Sequence, residues 1–488
     1  MSNDTALHYL SAREQGALIR TGQVSPVELV QACLDRIERY DPILRAYITV
    51  CPEQSIAAAR VAEREIAGGA YRGPLHGLPF GVKDQIATAG VRTTLGTRAK
   101  IAVADRDASV ISKLKASGAI LIGKENLHEC GKGGTNVFPY GQPRNPWNPE
   151  RTASSSSSGS GIAPAAGFCS GSIGEDTGGS IRGPASVNGV VGLRPTYGRV
   201  SRQGAVMYAW HSDTIGPVTR TVADNALFLA AIAGCDEGDR LSSNRPVPDY
   251  QAALTGDLRG LKLGIVREIA YAEGTHPDVQ NAFGQALEVL RTLGAQIGEV
   301  SLPWARHAIP LQMLTSDADS ASMYLDLLRT QWDAFDVGTR TRMATAMLVP
   351  APVYSRAMRA RAVVRAQVLD ALRPWDALIC PTHHKPPALI DDAREKVESK
   401  ADVTQRLILR RIGTHTFGAA NVPTLAVPMG FSADTLPLSL QIAGRPFDES
   451  TVYRIGHAYE QATPWHTRHP DLQHTLAAFE RKRATAGA

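Results

Sequence analysis

Ala108-Ser109-Val110-Ile111-Ser112-Lys113-Leu114-Lys115-Ala116-Ser117-Gly118-Ala119-Ile120-Leu121-Ile122-Gly123 decides the architecture of this 488-residue chain. Residues 108–117 read as a helix. After Gly118, the unbroken apolar run Ala119 to Gly123 reads as a strand buried on both faces. Upstream lies Gly73-Pro74-Leu75-His76-Gly77-Leu78-Pro79-Phe80-Gly81-Val82-Lys83-Asp84. Its Gly/Pro punctuation brackets a short apolar strand with Lys83 at its end. Strand, helix and strand in that order form a βαβ unit, and Glu125-Asn126-Leu127 opens the next loop.

The rhythm continues outward. A helix packed by small residues is expected over 162–169. Strands are expected at Gly189 to Leu193 and Leu261 to Val266, a helix over 277–294 and a strand over 295–302. Residues 305–375 read as largely helical. Further strands fall at Leu378 to Pro381, Thr424 to Pro428 and Leu438 to Ile442. Toward the N-terminus, Ser25-Pro26-Val27-Glu28 is a capping box, and Val30, Cys33, Leu34 and Ile37 then recur at helical spacing, giving a helix over 25–40. A second helix covers 53–67. The pattern specifies an α/β fold: one large α/β/α layered domain with a twisted mixed sheet surrounded by helices, and no internal repeat. Residues 1–70 read as an N-terminal helical segment packing on a catalytic domain of 71–488. Within that domain 305–405 is a variable pocket and lid region, and its stretch 382–405 reads as a mobile loop or a solvated excursion.

Composition excludes several classes. Apolar residues are 43% and charged residues 20%, as in ordinary globular proteins. The net charge of +5 is spread along the chain without a nucleic-acid-binding run, and Arg481-Lys482-Arg483 reads as a solvated helix end. The start shows no signal-peptide pattern, and no apolar stretch is long enough to span a bilayer. Cys33, Cys51, Cys130, Cys169, Cys235 and Cys380 have no paired spacing, which fits a reducing cytoplasm. His383-His384 and His466-x-x-His469 read as surface or loop histidines rather than metal ligands, because no acidic or thiol partner lies at ligand spacing. No metal or cofactor is expected.

The chemistry centres on Asp176-Thr177-Gly178-Gly179-Ser180-Ile181-Arg182. Taken alone, a serine after two glycines is a turn. Yet the glycines let backbone amides approach a substrate oxygen, and such donors form oxyanion holes. The Gly/Ser-rich region holds no histidine to serve as base. A lysine serves if burial lowers its pKa, and Lys83, ending an apolar strand beside Asp84, is the candidate. Ser154-Ser155-Ser156-Ser157-Ser158-Gly159-Ser160-Gly161 has the composition of a flexible linker. In mid-domain it reads instead as a hydroxyl-rich loop, one member of which passes a proton from Ser180 to Lys83.

Together these residues resemble the amidase signature family. The resemblance is carried by Gly81 to Asp84, by Arg144-Asn145-Pro146-Trp147-Asn148-Pro149 through the serine run, and by Asp176 to Arg182. Gly189-Val190-Val191-Gly192-Leu193-Arg194-Pro195-Thr196-Tyr197-Gly198-Arg199-Val200 and Ile442 to Glu449 extend it, so that it spans roughly residues 8–470. It implies a Ser–cis-Ser–Lys triad of Ser180 as nucleophile, Ser156 as bridge and Lys83 as base. It also implies oxyanion donors among the amides of Thr177, Gly178, Gly179 and Ser180, and a pocket loop at Cys130-Gly131. Asp176 and Arg182 are expected to hold the loop. One departure stands out. The family's Gly-Gly-Ser-Ser-Gly-Gly is here Ser154-Ser155-Ser156-Ser157-Ser158-Gly159, so Ser155 and Ser157 remain rival shuttles.

The implied activity is hydrolysis of C–N bonds of small amides through an acyl-enzyme, with esters and carbamates also in reach. Met207, Tyr208, Trp210, Met313, Met323, Tyr324 and Met347, in the variable segments, either suggest uncharged, aliphatic or aryl acyl groups or are ordinary core packing. The expected partner is a small-molecule amide. No nucleic acid is contacted directly, no membrane is engaged, and a homodimer is compatible. The chain also resembles the A subunit of the tRNA-dependent amidotransferase, which releases ammonia from glutamine within a complex. A catalytically dead scaffold is the third reading, and the retained lysine and serines speak against it.

Overall fold

The computed structural model describes residues 6–132, 137–390 and 399–486. Among these, thirteen strands form. The first five are β1 (Tyr47–Val50), β2 (Pro79–Lys83), β3 (Ile120–Glu125), β4 (Arg144–Asn145) and β5 (Asn148–Thr152). Then come β6 (Gly171–Asp176), β7 (Val191–Arg194), β8 (Thr214–Thr219), β9 (Lys262–Val266) and β10 (Gln296–Val300). The last are β11 (Ala377–Pro381), β12 (Thr424–Phe431) and β13 (Pro437–Gly444). β4 and β5 pair with each other, and the other eleven form one mixed sheet in the order β1-β3-β2-β6-β8-β7-β12-β13-β11-β9-β10. The α/β layered fold expected from the sequence is therefore the fold observed.

The βαβ unit at residues 79–125 is present, with β2 and β3 parallel and Ser109–Ala116 between them. Every residue of β2, β3 and β6 is buried, as for strands covered by helices on both faces. The helix Pro26–Leu44 starts with the expected capping box, Ser25 and Glu28 each accepting from the other's backbone amide. It runs past residue 40 and stops at Arg45, which takes a left-handed conformation.

Other elements differ from expectation. β6 and β8 lie in the middle of the sheet where sequence pattern signals neither; in Gly171-Ser172-Ile173-Gly174-Glu175-Asp176 a single apolar side chain gives no period to read. The helix expected over 162–169 is Ser158–Ala165, buried along its whole length. The serine run thus enters a helix, and helix propensity is overridden by packing. Its glycines are required there: a Cβ at Gly159 would lie 2.1 Å from the Ala46 carbonyl oxygen. The N-terminal segment is not purely helical, since β1 pairs antiparallel with β3 at the sheet edge. The helix Lys400–Ala420 occupies the end of the expected 382–405 loop, and residues 391–398 of that loop lie outside the described residues. No helix among the described residues is long and apolar enough to cross a membrane.

Candidate active site

β2 and β6 are parallel neighbours, with Val82 opposite Ile173. Lys83 and Glu175 therefore emerge together at the carboxyl ends of adjacent strands, the edge where α/β sheets bind ligands. Lys83 Nζ donates to Ser156 Oγ at 2.8 Å and lies 2.9 Å from Glu175 Oε2. All three residues are buried, and the Ser155–Ser156 peptide bond is cis. The Ser157 amide donates to the Ser180 carbonyl at 3.2 Å, tying the two serine-bearing loops together. Ser180 is half-buried and lines, with Ser155, Ser156 and Gly178, a cleft of about 870 Å³.

The geometry separates the rival serines. Ser157 Oγ donates to the Glu175 carbonyl at 3.0 Å and is buried as a tie between loop and strand. Ser155 is exposed at the cleft. Ser156 is the one bonded to Lys83.

Beyond β6 the chain turns sharply, with Gly179 at φ +128°, a conformation that side-chain-bearing residues rarely adopt. Asp176 holds this turn. Its carboxylate accepts from the Gly179 amide at 2.7 Å, from the Ile181 amide at 3.1 Å and from the Arg182 guanidinium at 3.0 Å twice. Burial works against this charge, but Arg182 and then Arg194 more than offset it and keep the carboxyl well below the usual range. The oxyanion expectation narrows in consequence. The Gly179 amide is committed to Asp176, whereas those of Thr177, Gly178 and Ser180 have no hydrogen-bond partner among the described residues. Thr177 offers its carbonyl to Ser212 Oγ at 3.0 Å.

Glu175 is the residue that sequence reasoning missed. It had paired Lys83 with Asp84, its chain neighbour. Successive strand side chains point to opposite faces, and Asp84 instead lies 3.1 Å from Lys124. A signal was present: an acidic residue at the end of the strand leading into the glycine turn. Glu175 Oε1 lies 2.9 Å from Thr177 Oγ1, which is itself 2.7 Å from Asp213 Oδ1. One hydroxyl proton serves only one of those carboxyls. Asp213 is already held by the amides of Tyr208 and Ala209, so full bonding puts a proton on Glu175. Burial pushes the Glu175 carboxyl up to about 7 against the pull of Lys83, and burial lowers the Lys83 ammonium against the pull of Glu175. Both directions favour an uncharged pair.

Other expected pocket residues sort differently. Gly131 lines the cleft, but Cys130 is fully buried beneath it in a cluster with Tyr208 and Tyr324. Of the seven methionine and aromatic candidates, Met313 alone lines the cleft. Met207, Tyr208 and Tyr324 are core, and Trp210, Met323 and Met347 lie on the outer surface. The apolar pocket is thereby replaced by one with Lys132, Arg342 and Arg411 on its walls. Nor is His384 a surface residue: it is buried, with ring nitrogens 3.0 Å from the Leu409 carbonyl and 2.7 Å from that of Ile269. All six cysteines are free thiols. Among the described residues no group of three or more His, Cys, Asp or Glu is placed to hold a metal ion.

The Amidase family model matches residues 28–453, which include both loops and Lys83. The chain belongs to the amidase signature family. This amidase is 40% identical to the A subunit of the glutamyl-tRNA(Gln) amidotransferase of Roseiflexus sp. (strain RS-1), over 96% of this chain and 99% of that one. Among solved structures, the peptide amidase from Stenotrophomonas maltophilia superposes with a TM-score of 0.81 at 30% identity, covering 93% of this chain and 96% of that one. A structure described under the evolutionary origins of an s-triazine catabolic enzyme and a vestigial protein complex gives 0.85 at 30% identity, covering 93% and 98%.

Proposed function

We propose that this amidase hydrolyses an amide through an acyl-enzyme on Ser180. The supporting observation is the 2.8 Å bond between Lys83 and Ser156 in a site that Ser180 also lines. Neutral Lys83 takes the Ser156 proton as Ser156 takes that of Ser180, and the Ser180 oxygen bonds to the amide carbon. The oxyanion rests on the amides of Gly178 and Ser180, where one donor is worth about 3–4 kcal/mol. The proton returns to the nitrogen as the C–N bond breaks, releasing ammonia or an amine. Water then attacks the ester along the same path, freeing the acid and Ser180. Esters follow the same route, and carbamates end as carbon dioxide, amine and alcohol.

Two substrate readings remain. The near-full-length 40% identity favours an ammonia-releasing component of a tRNA-dependent amidotransferase, with glutamine as the amide and partner subunits receiving the ammonia. A hydrolase of a small amide other than glutamine is favoured by Lys132, Arg342 and Arg411 on the cleft wall, which oppose an α-ammonium. Both are tested by assaying the full chain alone against glutamine, simple amides, an anilide, an ester and a carbamate. Turnover is expected in the wild type, with losses of about 10,000-fold or more in Ser180→Ala and in Lys83→Met. Hydroxylamine should trap the acyl group from the wild type only. Undiminished turnover in Ser180→Ala refutes the mechanism.

A further inference from the structure

We infer that the cleft selects amides whose acyl part carries a carboxylate and no ammonium group, with Arg411 as the anchor. The inference rests on the reading of Ser180 as nucleophile for one point, the position of the scissile carbonyl.

The helix Lys400–Ala420 lies against the glycine turn. A Cβ at Gly178 would stand 2.9 Å from His415 Nε2, and the Arg411 guanidinium, one helical turn earlier, reaches to 3.4 Å from that same nitrogen. Arg411 therefore sits one side chain away from the amide of Gly178. Burial, and then Arg342, lower its pKa to about 10, which leaves it charged at neutral pH. Burial, and then Arg411, hold His415 well below its usual range, so it faces the guanidinium as a neutral ring.

Among the described residues the charges around Arg411 do not balance. Arg342 makes two bonds of 2.9 Å to Asp317, and Lys132 lies 3.3 Å from the same carboxylate. Asp317 is thus shared by two cations, and Arg411 has no carboxylate within ion-pair distance among the described residues. Farther out, Asp278 accepts from the Ala433 amide at 2.9 Å, and Asp434 lies 3.6 Å from Arg151. A half-buried guanidinium without a counter-charge is open to an anion entering the cleft. A substrate carboxylate would complete it, and the planar fork suits bidentate pairing. An ammonium placed among Arg411, Arg342 and Lys132 would meet net repulsion. With the carbonyl at Gly178 and Ser180 and the anion a side chain away, the substrate class is the monoamide of a short dicarboxylic acid.

The test compares glutaric acid monoamide, glutamine and valeramide on the full chain. The first two differ only in the α-ammonium, and the first and third in the carboxylate. Wild-type kcat/KM should favour the monoamide over each of the others by about tenfold or more. Arg411→Gln should collapse the monoamide-to-valeramide ratio by a similar factor, and Arg411→Lys should keep part of it. Calorimetry with Ser180→Ala separates binding from chemistry: that variant should bind the monoamide and not valeramide, and adding Arg411→Gln should abolish the difference. If the Ser180→Ala protein binds selectively while the wild type turns over nothing, the mechanism fails and the recognition stands. Equal use of valeramide overturns the inference, as does equal use of glutamine, which would return the assignment to the amidotransferase reading. A loss in Arg411→Gln that is uniform across the three amides would make the residue structural.

Discussion

Glu175 sits behind Lys83, bonded to it and outside the lining of the cleft. It shares a proton economy with Lys83, so the two titrate as a pair rather than as separate groups. Its carboxylate form holds the lysine as an ammonium, and its acid form leaves the lysine able to be neutral. Glu175→Gln keeps the uncharged partner that this pair favours, so the acid limb of the kcat/KM profile should move by less than about half a unit. A downward move of about one unit or more would show instead that Glu175 is a carboxylate holding Lys83 as an ammonium. The chain carried only the acidic residue before the glycine turn as a signal, because adjacency in sequence pointed to Asp84, while adjacency across two parallel strands supplied Glu175.

The turn from Asp176 to Arg182 is an element built around one buried charge. Removing that charge leaves the guanidinium groups of Arg182 and Arg194 buried without their carboxylate. Asp176→Asn should cost about 3–5 kcal/mol of stability in urea unfolding. The sign in pH follows from the lowered carboxyl: its contribution is present above the ordinary carboxylate pKa and is lost as pH falls toward the folded-state value. The loop-holding role of Asp176 and Arg182 was readable from sequence, as were β2, β3, β9, β11, β12 and β13, where apolar runs are long enough to signal burial, and β10, a half-exposed strand at the sheet edge. β6 and β8 were not, since the glycine and serine of β6 carry no hydrophobic period and Gly216-Pro217 interrupts that of β8, although both occupy the centre of the sheet. Pocket chemistry was misread for a related reason: methionine and aromatic residues in variable segments look alike whether they face a cleft, as Met313 does, or fill a core, as Tyr208 and Tyr324 do.

Across the whole molecule, buried carboxyls that do not line the cleft link stability to alkalinity. Glu125 on β3 and Glu460 in the helix Glu449–Gln461 are each pushed by burial up to about 8. A carboxyl raised in the folded state stabilises fully below its unfolded pKa, and that contribution fades as pH rises through about 8. Thermal denaturation should therefore show Tm falling from mildly acidic to alkaline buffer, with a shallower fall in the double variant Glu125→Gln, Glu460→Gln. An unchanged slope in that variant would place the sensitivity elsewhere. The sheet is assembled from strands far apart in the chain, and the closest such dependence is at the back of the serine helix. Because Gly159 rests on the Ala46 carbonyl, the stretch from Ser25 to Val50 walls the reactive loop from behind. A chain trimmed to begin after Ala70 would expose that loop to water on its dry side, and two fragments cut there would have to find each other before either could react.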